Sequence, residues 1–391
     1  MNANFEYHVP THIYFGDEQL GKLGSVLKQY GKRVLMIYGS ERIKGTDIYR
    51  ELIEQVKLYN LELFEMGGVE PNPRSYSVNK AVDICKREKI DVLLPIGGGS
   101  IIDCAKLASP AAFYDGDAWD FITGKAVMEK FIPIVAISTI SGTGTDMDAY
   151  GIVSNAETDD KLPFFHPGLF PVASFLDPSV TYSVSPFQTA CGAIDAFSHF
   201  LEVYLMRPNL YVLDRVIEGF MKSILHYIPI VMEHPDDYDA RANIMWAASW
   251  ALSGFTYGPT NGVPFMCHWI EDEVSAKYDI THGLGLAIIL PNYLEYCLNE
   301  KSAPLYKEFA TNVLGLDDNL DAMDSAKKSI EILRDLFFGT CGLKQHLSDY
   351  IEGIDDSKFA EMARIACRDG IVHGFVDMTQ EDAVNILKMS L

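Results

Sequence analysis

The sequence changes its pattern near residue 185, and this change restricts the possible folds more than any other feature. Before it, short β-branched runs such as VLMIY at 34–38 alternate with segments of helical periodicity. After it, one helical pattern follows another to the C-terminus. Alternating strands and helices are typical of an α/β domain with a largely parallel sheet. Because a single core stops growing at about 250–300 residues, 391 residues suit two domains. We predict an α/β domain at 1–184 and an all-helical domain at 185–391.

Charge and composition exclude several classes of partner. The net charge of −22 argues against nucleic acid, which is bound by clustered Lys and Arg. No apolar run reaches the roughly 18–20 residues that a membrane span needs, and the first residues lack the pattern of a signal peptide. The 7 cysteines are scattered, without a C-x-x-C pair, as is typical of reduced core thiols. We therefore expect a soluble, cytoplasmic protein with no nucleic-acid or membrane partner.

The segment DVLLPIGGGSIIDCAK predicts a strand at 91–96, a tight turn at 97–99 and a helix from Ser100. The N–H groups at a helix N-terminus bind anions, and glycines allow a phosphate to approach the backbone. A bare GGGS also occurs as an ordinary turn, so the pattern alone leaves both interpretations open. A strand at 133–139 would place the loop SGTGTDMDAY at the same edge of the sheet. Its small hydroxyl residues could surround a nucleotide or form an ordinary loop.

The segment TACGAIDAFSHFLE at 189–202 predicts a helix with Asp195 and His199 on one face. An apolar helix offers no compensation for a buried charge, whereas a bound cation does. The alternative is a hydrogen-bonded Asp/His pair in a helical core, which an isolated motif of this kind favours. His268 and His282 extend the set to four N and O donors, which suit Zn²⁺ or Fe²⁺. The small residues of HGLGLA, from 282 onward, would let the backbone pack close to a ligand.

Together with GGGSIIDCAK and DPSVTYSVSP, these four residues make nearly the whole chain resemble the iron-containing, metal-dependent alcohol dehydrogenases of group III. The segments VEPNP, HWIE and YDITHG are similar to the branch of NADPH-dependent butanol dehydrogenases and aldehyde reductases. The resemblance implies a Rossmann-like dinucleotide-binding α/β domain and an all-α metal-binding domain, the dehydroquinate synthase-like plan. It also implies a homodimer, a divalent metal (Fe²⁺ or Zn²⁺) and a nicotinamide cofactor.

The resemblance further implies roles for individual residues. It assigns the four metal ligands to Asp195, His199, His268 and His282. It assigns cofactor binding to Gly98, Gly99 and Ser100 at the diphosphate, Asp103 at the nicotinamide amide, Thr139, Thr143 and Asp148 in the loop after the strand, Lys161 at the ribose, and Asn72 in VEPNP.

Cofactor choice depends on the residue that follows the strand at 34–38. Family members that use NAD commonly have Asp there, which would repel the 2′-phosphate of NADP. Here Gly39 is followed by Ser40, which favours NADP, although Glu41 keeps NAD possible.

One position departs from the family pattern. The family usually has H-x-x-x-H in the helix of the third ligand, and the second histidine positions substrate or relays a proton. This chain has Asp272 there, four residues after His268, and we take both as catalytic candidates. An aspartate, with an ordinary pKa of about 4, is a poorer proton donor at neutral pH.

The leading hypothesis is a metal-dependent, NADP(H)-linked alcohol dehydrogenase or aldehyde reductase that acts on short primary alcohols and aldehydes such as butanol and butanal. One alternative is a non-redox lyase or cyclase of the dehydroquinate synthase-like plan. Another is a weakly active binding homologue, which Asp272 alone motivates. The HGLGLA run and the D-x-x-x-H spacing favour the dehydrogenase.

Overall fold

The structure, a computed structural model, describes residues 5–158, 160–206, 210–257 and 264–391. The chain forms two compact units. The first extends from His8 to Ser183. The second comprises Val184 to Leu391 and also includes residues 5–7. The division thus falls one residue before the predicted one, and the described residues ahead of His8 go with the helical unit instead of the α/β unit.

The first unit contains a six-stranded sheet in the order β1-β8-β5-β4-β2-β3, in which all the pairings are parallel. A separate antiparallel hairpin pairs β6 with β7. The strands are β1 (His12–Phe15), β2 (Arg33–Tyr38), β3 (Glu62–Met66), β4 (Val92–Gly97), β5 (Val135–Ser138), β6 (Tyr150–Asn155), β7 (Asp160–Phe165) and β8 (Ala173–Leu176). The helices are α1 (Leu23–Tyr30), α2 (Asp47–Leu58), α3 (Ser75–Glu88), α4 (Gly99–Ala111) and α5 (Trp119–Ile122).

The predicted α/β fold is confirmed, and the central strands show its physical basis. Residues 34–37 of β2 and 92–94 of β4 are completely buried, because helices cover both faces of a parallel sheet and both faces therefore need apolar side chains. The strands predicted at 34–38, 91–96 and 133–139 correspond to β2, β4 and β5, each within two residues of its predicted ends. Strand β1 and the β6–β7 hairpin were not predicted. The first has only four residues and is partly exposed, and β7 carries charged residues and Pro163.

The second unit is helical, as predicted. Its helices are α6 (Pro186–Met206), α7 (Tyr211–Glu233), α8 (Tyr238–Trp250), α9 (Gly254–Tyr257), α10 (Met266–Tyr278), α11 (His282–Cys297), α12 (Ala303–Asn312), α13 (Ala322–Arg334), α14 (Phe359–Ala366) and α15 (Gln380–Ser390). Helix α6 is central, since every residue from Thr189 to Leu205 is buried and it packs against α7, α8 and α11. Within the described residues, no helix combines the length and apolar character that a membrane crossing requires.

The small residues of HGLGLA allow α11 to approach two neighbouring helices. A Cβ atom on Gly283 would lie 2.6 Å from the carbonyl carbon of Cys191 in α6. A Cβ atom on Gly285 would lie 2.6 Å from Cγ of Glu271 in α10. The close packing that we predicted for this segment is therefore found against protein helices, and it sets the distance between α11 and the residues of α6.

Candidate metal centre and dinucleotide site

Three helices of the second unit direct imidazoles toward one carboxylate oxygen. Asp195 and His199 are neighbours on α6, and Nδ1 of His199 lies 3.1 Å from Oδ1 of Asp195. His268 is on α10 and His282 is the first residue of α11. Their Nε2 atoms lie 3.7 and 3.9 Å from the same Oδ1. The helical spacing predicted the first pair, whereas only the packing of α10 and α11 on α6 brings in the other two.

The donor atoms of this centre are buried and incompletely paired. Asp195, His199 and His268 are 4–5% exposed. Oδ1 of Asp195 and Nε2 of His268 have no hydrogen-bond partner among the described residues. Burying such an atom unpaired costs about 1–3 kcal/mol, and a cation would satisfy both atoms. One carboxylate oxygen and imidazole nitrogens are the ligands that Zn²⁺ and Fe²⁺ accept, so the residues fit a divalent metal.

The structure groups three of the four predicted ligands most tightly. The ligand atoms of Asp195, His268 and His282 all lie within 4.8 Å of one another. His199 lies beside this group, with its ring centroid 4.0 Å from that of His268. Its Nδ1 faces both the side chain of Asp195 and, at 3.0 Å, the Asp195 carbonyl oxygen. All four predicted residues therefore meet in one place, while the assignment of each as a ligand stays a prediction.

Glu202 and Glu271, which were not predicted as site residues, bind the Nδ1 atoms of two of the histidines. Nδ1 of His268 donates to Glu202, and Nδ1 of His282 donates to Glu271. Carboxylate partners of this kind fix the orientation of a metal-binding histidine. A spacing signal was available for both. Glu202 is seven residues after Asp195 in the same helix, and Glu271 is three residues after His268.

The three buried carboxylates make the centre electrostatically negative. Burial lowers the pKa of His268, but the carboxylates of Glu202 and Asp195 outweigh this effect and raise that pKa to about 10. Burial raises the pKa of Asp195, yet the adjacent His199 and His268 hold it well below its ordinary value. Burial and the neighbouring His268 lower the pKa of His199. A divalent cation would offset the negative charge of Asp195, Glu202 and Glu271.

Asp272 adjoins the centre. Its Oδ1 lies 3.9 Å from Nδ1 of His282, and its side chain is 19% exposed. Glu271, Asp272 and His282 form a second group of ligand atoms within 4.8 Å of one another. Asp272 therefore lies within reach of both solvent and the histidine cluster. The apolar border of the centre includes Phe265, whose ring centroid is 5.5 Å from that of His268.

In the first unit, the glycine turn connects β4 to α4. A Cβ atom on Gly99 would lie 2.8 Å from Oγ1 of Thr143, and one on Gly98 would lie 3.3 Å from Cδ1 of Ile140. The loop after β5 therefore covers the turn so closely that Gly99 leaves no room for a side chain. The turn is at the carboxyl ends of β4 and β5, where open α/β sheets bind ligands, and it precedes the N-terminus of α4.

Further predicted cofactor residues surround this turn. The backbone N–H of Asn72 donates to the hydroxyl of Ser100 over 3.2 Å. The backbone N–H of Thr139 donates to the carbonyl oxygen of Gly97 over 3.0 Å. Lys161 lies on β7 and is 7% exposed. The structure thus brings Asn72, Ser100, Thr139 and Thr143 together with the glycines, and Lys161 is placed on the adjoining hairpin.

Asp103 and Asp148 belong to a buried hydrogen-bond network around Lys106. The fully buried Nζ of Lys106 donates to Thr145 Oγ1 and Asp148 Oδ1, both over 2.7 Å, and to the carbonyl oxygen of Tyr150 over 2.6 Å. The Thr145 hydroxyl donates in turn to Asp103 Oδ1 over 2.7 Å. Burial raises the pKa of Asp103 to about 6, with Lys106 opposing the shift. Asp148 is therefore the counterion of a buried lysine, a role that our sequence analysis did not assign, while its contact with a cofactor stays a prediction.

The segment after β2 carries charges of both signs. The Ser40 hydroxyl accepts a hydrogen bond from the backbone N–H of Arg42, so it caps the turn that follows Gly39. Glu41 pairs with Lys44 over 2.9 Å. Lys44 also pairs with Glu65 over 2.9 Å, so two carboxylates offset its positive charge, and Arg42 adds a second positive charge near Gly39.

Comparisons with known proteins agree with this arrangement. Residues 10–178 match the family model described as iron-containing alcohol dehydrogenase, and residues 189–391 match that of the Fe-containing alcohol dehydrogenase family, C-terminal. The chain is 40% identical to NADH-dependent butanol dehydrogenase B of Clostridium acetobutylicum over 100% of both proteins. It is 33% identical to NADPH-dependent aldehyde reductase YqhD of Escherichia coli over 92% of both. The crystal structure of NADH-dependent butanol dehydrogenase A from Thermotoga maritima superposes with a TM-score of 0.92 at 34% identity, covering 99% of this chain and 98% of that one.

Proposed function

Because the chain belongs to the iron-containing alcohol dehydrogenase family and is therefore an oxidoreductase, we propose that it interconverts short primary alcohols and aldehydes, such as butanol and butanal, with NADP(H) and a divalent metal. One observation carries the proposal. Three imidazoles from α6, α10 and α11 surround a single oxygen of Asp195, and two of the buried ligand atoms there have no hydrogen-bond partner in the part of the chain that the structure describes. The family match and the alcohol dehydrogenases among the relatives favour the dehydrogenase over a lyase, and measured turnover distinguishes it from a binding homologue.

The residues of this chain would hold Fe²⁺ or Zn²⁺ through Asp195, His199, His268 and His282. When bound there, the metal supplies Lewis acidity toward an alcohol or carbonyl oxygen. Glu202 and Glu271 hold two of the imidazoles in place. Phe265 gives the centre an apolar edge, which suits a short aliphatic chain. Asp272 is the group placed to accept or release a proton next to His282.

The dinucleotide would be held in the first unit, where the nicotinamide supplies the hydride chemistry. Gly98, Gly99 and Ser100 would receive its diphosphate at the N-terminus of α4. The residues that we propose around them are Gly39, Ser40, Asn72, Asp103, Thr139, Thr143, Asp148 and Lys161.

NADP(H) is the preferred cofactor in this proposal because Gly39 offers no carboxylate to repel the 2′-phosphate, and Arg42 is nearby in the chain. The second candidate is NAD(H), which Glu41 and the name of the 40% identical relative favour. The ratio of kcat/KM for NADPH to that for NADH, measured with butanal, separates the two. A ratio above 1 supports the proposal, and a ratio below 1 supports NAD(H).

The metal role can be tested with two histidine variants and a matched control. His268→Ala and His282→Ala should abolish NADPH oxidation by butanal and reduce the metal content, while NADPH binding remains, since these ligands are in the other unit. His373→Ala is the control, because this histidine of the same unit is 79% exposed. Near-normal turnover of a metal-stripped His268→Ala protein would contradict the metal role. If wild-type protein causes no loss of NADPH absorbance with any aldehyde, the lyase or the binding homologue is favoured.

We further propose that the enzyme acts in the cytoplasm as a homodimer. Light scattering on a size-exclusion column should then give about twice the chain mass of 43.6 kDa. A mass equal to that of one chain would exclude the dimer.

A further inference from the structure

All three histidines of the metal centre present Nδ1 to an oxygen acceptor. For His199 the acceptor is the carbonyl oxygen of Asp195, for His268 it is Glu202 and for His282 it is Glu271. An ionised carboxylate and a carbonyl group can only accept hydrogen bonds. Each imidazole therefore donates from Nδ1, which leaves Nε2 as the nitrogen that can offer a lone pair to a metal. For His268 and His282, Nε2 is the atom that faces Asp195 Oδ1.

Glu202 and Glu271 differ in the second group that donates a hydrogen bond to them. This group is a backbone N–H for Glu202 and a side-chain hydroxyl for Glu271. Glu202 accepts from the backbone N–H of Cys267 through Oε1, over 2.7 Å, as well as from His268 through Oε2. That N–H lies in the first turn of α10, where helix N–H groups have no partner within the helix. Glu271 accepts from His282 through one oxygen and from the hydroxyl of Ser275 through the other. A backbone N–H can only donate, whereas a hydroxyl can donate or accept.

We propose that Glu202 and Glu271 are positioning residues of the metal centre, and that Glu202 requires two accepting oxygens whereas Glu271 requires only one. The inference rests on the proposed metal-binding function. A glutamine at 271 can turn its oxygen toward His282 and its NH₂ group toward the Ser275 hydroxyl, which then accepts. A glutamine at 202 must direct its NH₂ group at one of two donors.

Either orientation of a glutamine at 202 disturbs the centre. If its NH₂ group faces His268, the proton of that imidazole must move to Nε2, where it occupies the lone pair that a metal needs. If its NH₂ group faces Cys267, two N–H groups oppose each other at the first turn of α10, and the helix that carries His268 must shift. Both carboxylates are at least 98% buried and both lose one negative charge on this substitution. The change in charge therefore cancels when the two variants are compared.

The experiment compares Glu202→Gln with Glu271→Gln. Zn²⁺ affinity is measured by competition with a chelator, and the visible absorption spectrum of the Co²⁺-loaded protein reports on coordination. Glu202→Gln should bind Zn²⁺ about 10–100-fold more weakly than wild type, the usual cost of removing such a partner. Glu271→Gln should stay within about 3-fold of wild type and keep the wild-type Co²⁺ spectrum. NADPH binding, which depends on the other unit, should be unchanged in both.

Equal weakening in both variants would overturn the inference, because charge alone would then explain the effect. Unchanged affinity in both would overturn it as well. If wild type and His268→Ala bind Zn²⁺ equally, the proposed metal-binding function itself fails. If Glu202→Gln does not fold, ¹⁵N NMR of histidine-labelled, Zn²⁺-loaded wild-type protein still tests the premise, since His268 must then carry its proton on Nδ1 alone. A proton on Nε2 of His268 in the Zn²⁺-loaded protein would overturn the inference.

Discussion

Substituting Gly283 by alanine tests whether close packing between helices sets the geometry of the metal centre. The added Cβ atom would lie 2.6 Å from the carbonyl carbon of Cys191 and 2.9 Å from its Cα, whereas ordinary contacts are 3.4–4 Å. Both atoms belong to the backbone of α6, so no side chain can rotate away. The start of α11 must therefore move from α6 by about 1 Å.

This movement acts directly on the candidate ligands. His282 immediately precedes Gly283, and Asp195 lies one helical turn after Cys191. Metal–ligand distances tolerate changes of only about 0.2 Å, and a misplacement of about 1 Å can reduce turnover about 100-fold. Overpacking of a core costs about 1–3 kcal/mol. We expect Gly283→Ala to weaken Zn²⁺ binding at least about 10-fold and to lower the melting temperature of the metal-free protein by about 5 °C.

Gly219→Ala is the matched control, since a Cβ atom on this glycine in the middle of α7 meets nothing within 4 Å. It should leave Zn²⁺ affinity unchanged and stabilise the protein by up to about 1 kcal/mol, because alanine is the better helix former. Chelator competition and differential scanning calorimetry measure the two quantities. The reasoning is refuted if Gly283→Ala and Gly219→Ala give the same affinity and the same melting temperature.

Three further predictions concern single residues. Lys106→Met leaves the carboxylate of Asp148 buried without its cation, so chemical denaturation should show that the free energy of unfolding falls by about 3–5 kcal/mol. The double variant Lys106→Met/Asp148→Asn should recover most of this loss. A double variant as unstable as Lys106→Met would exclude this pair as the cause. Gly39→Asp should lower kcat/KM for NADPH at least about 10-fold and spare NADH, because its carboxylate repels the 2′-phosphate. Its Cβ would lie 3.2 Å from the carbonyl oxygen of Val69, so Gly39→Ala controls for the steric effect, and unchanged selectivity would point to Glu41. Asp272→His should raise aldehyde-reducing turnover or shift its pH optimum upward without changing the metal content, whereas loss of metal would identify Asp272 as a ligand or a ligand partner.

Periodicity and spacing alone predicted the fold class and two local parts of the candidate site, the Asp195/His199 pair and the glycine turn. A parallel strand buried on both faces must be apolar along its length, so β2 and β4 were recognisable without any partner. Asp195 and His199 share a helical face through local geometry. The glycine turn is likewise one continuous segment. These features depend on residues that are neighbours along the chain, which is why the sequence was sufficient for them.

Only the tertiary structure revealed how the centre is supported. Glu202 meets His268 across 66 positions of the chain, and Lys106 meets Asp148 across 42. Spacing puts Glu202 on the face of α6 that carries Asp195, but no local pattern shows which distant group Glu202 or Lys106 meets, because a buried charge is tolerated only where the folded chain provides its partner. The same holds for Gly283, whose missing side chain matters because α6 passes beside it. Periodicity predicts which faces of a helix are apolar. The packing of helices that are distant in sequence decides which buried polar groups come into contact.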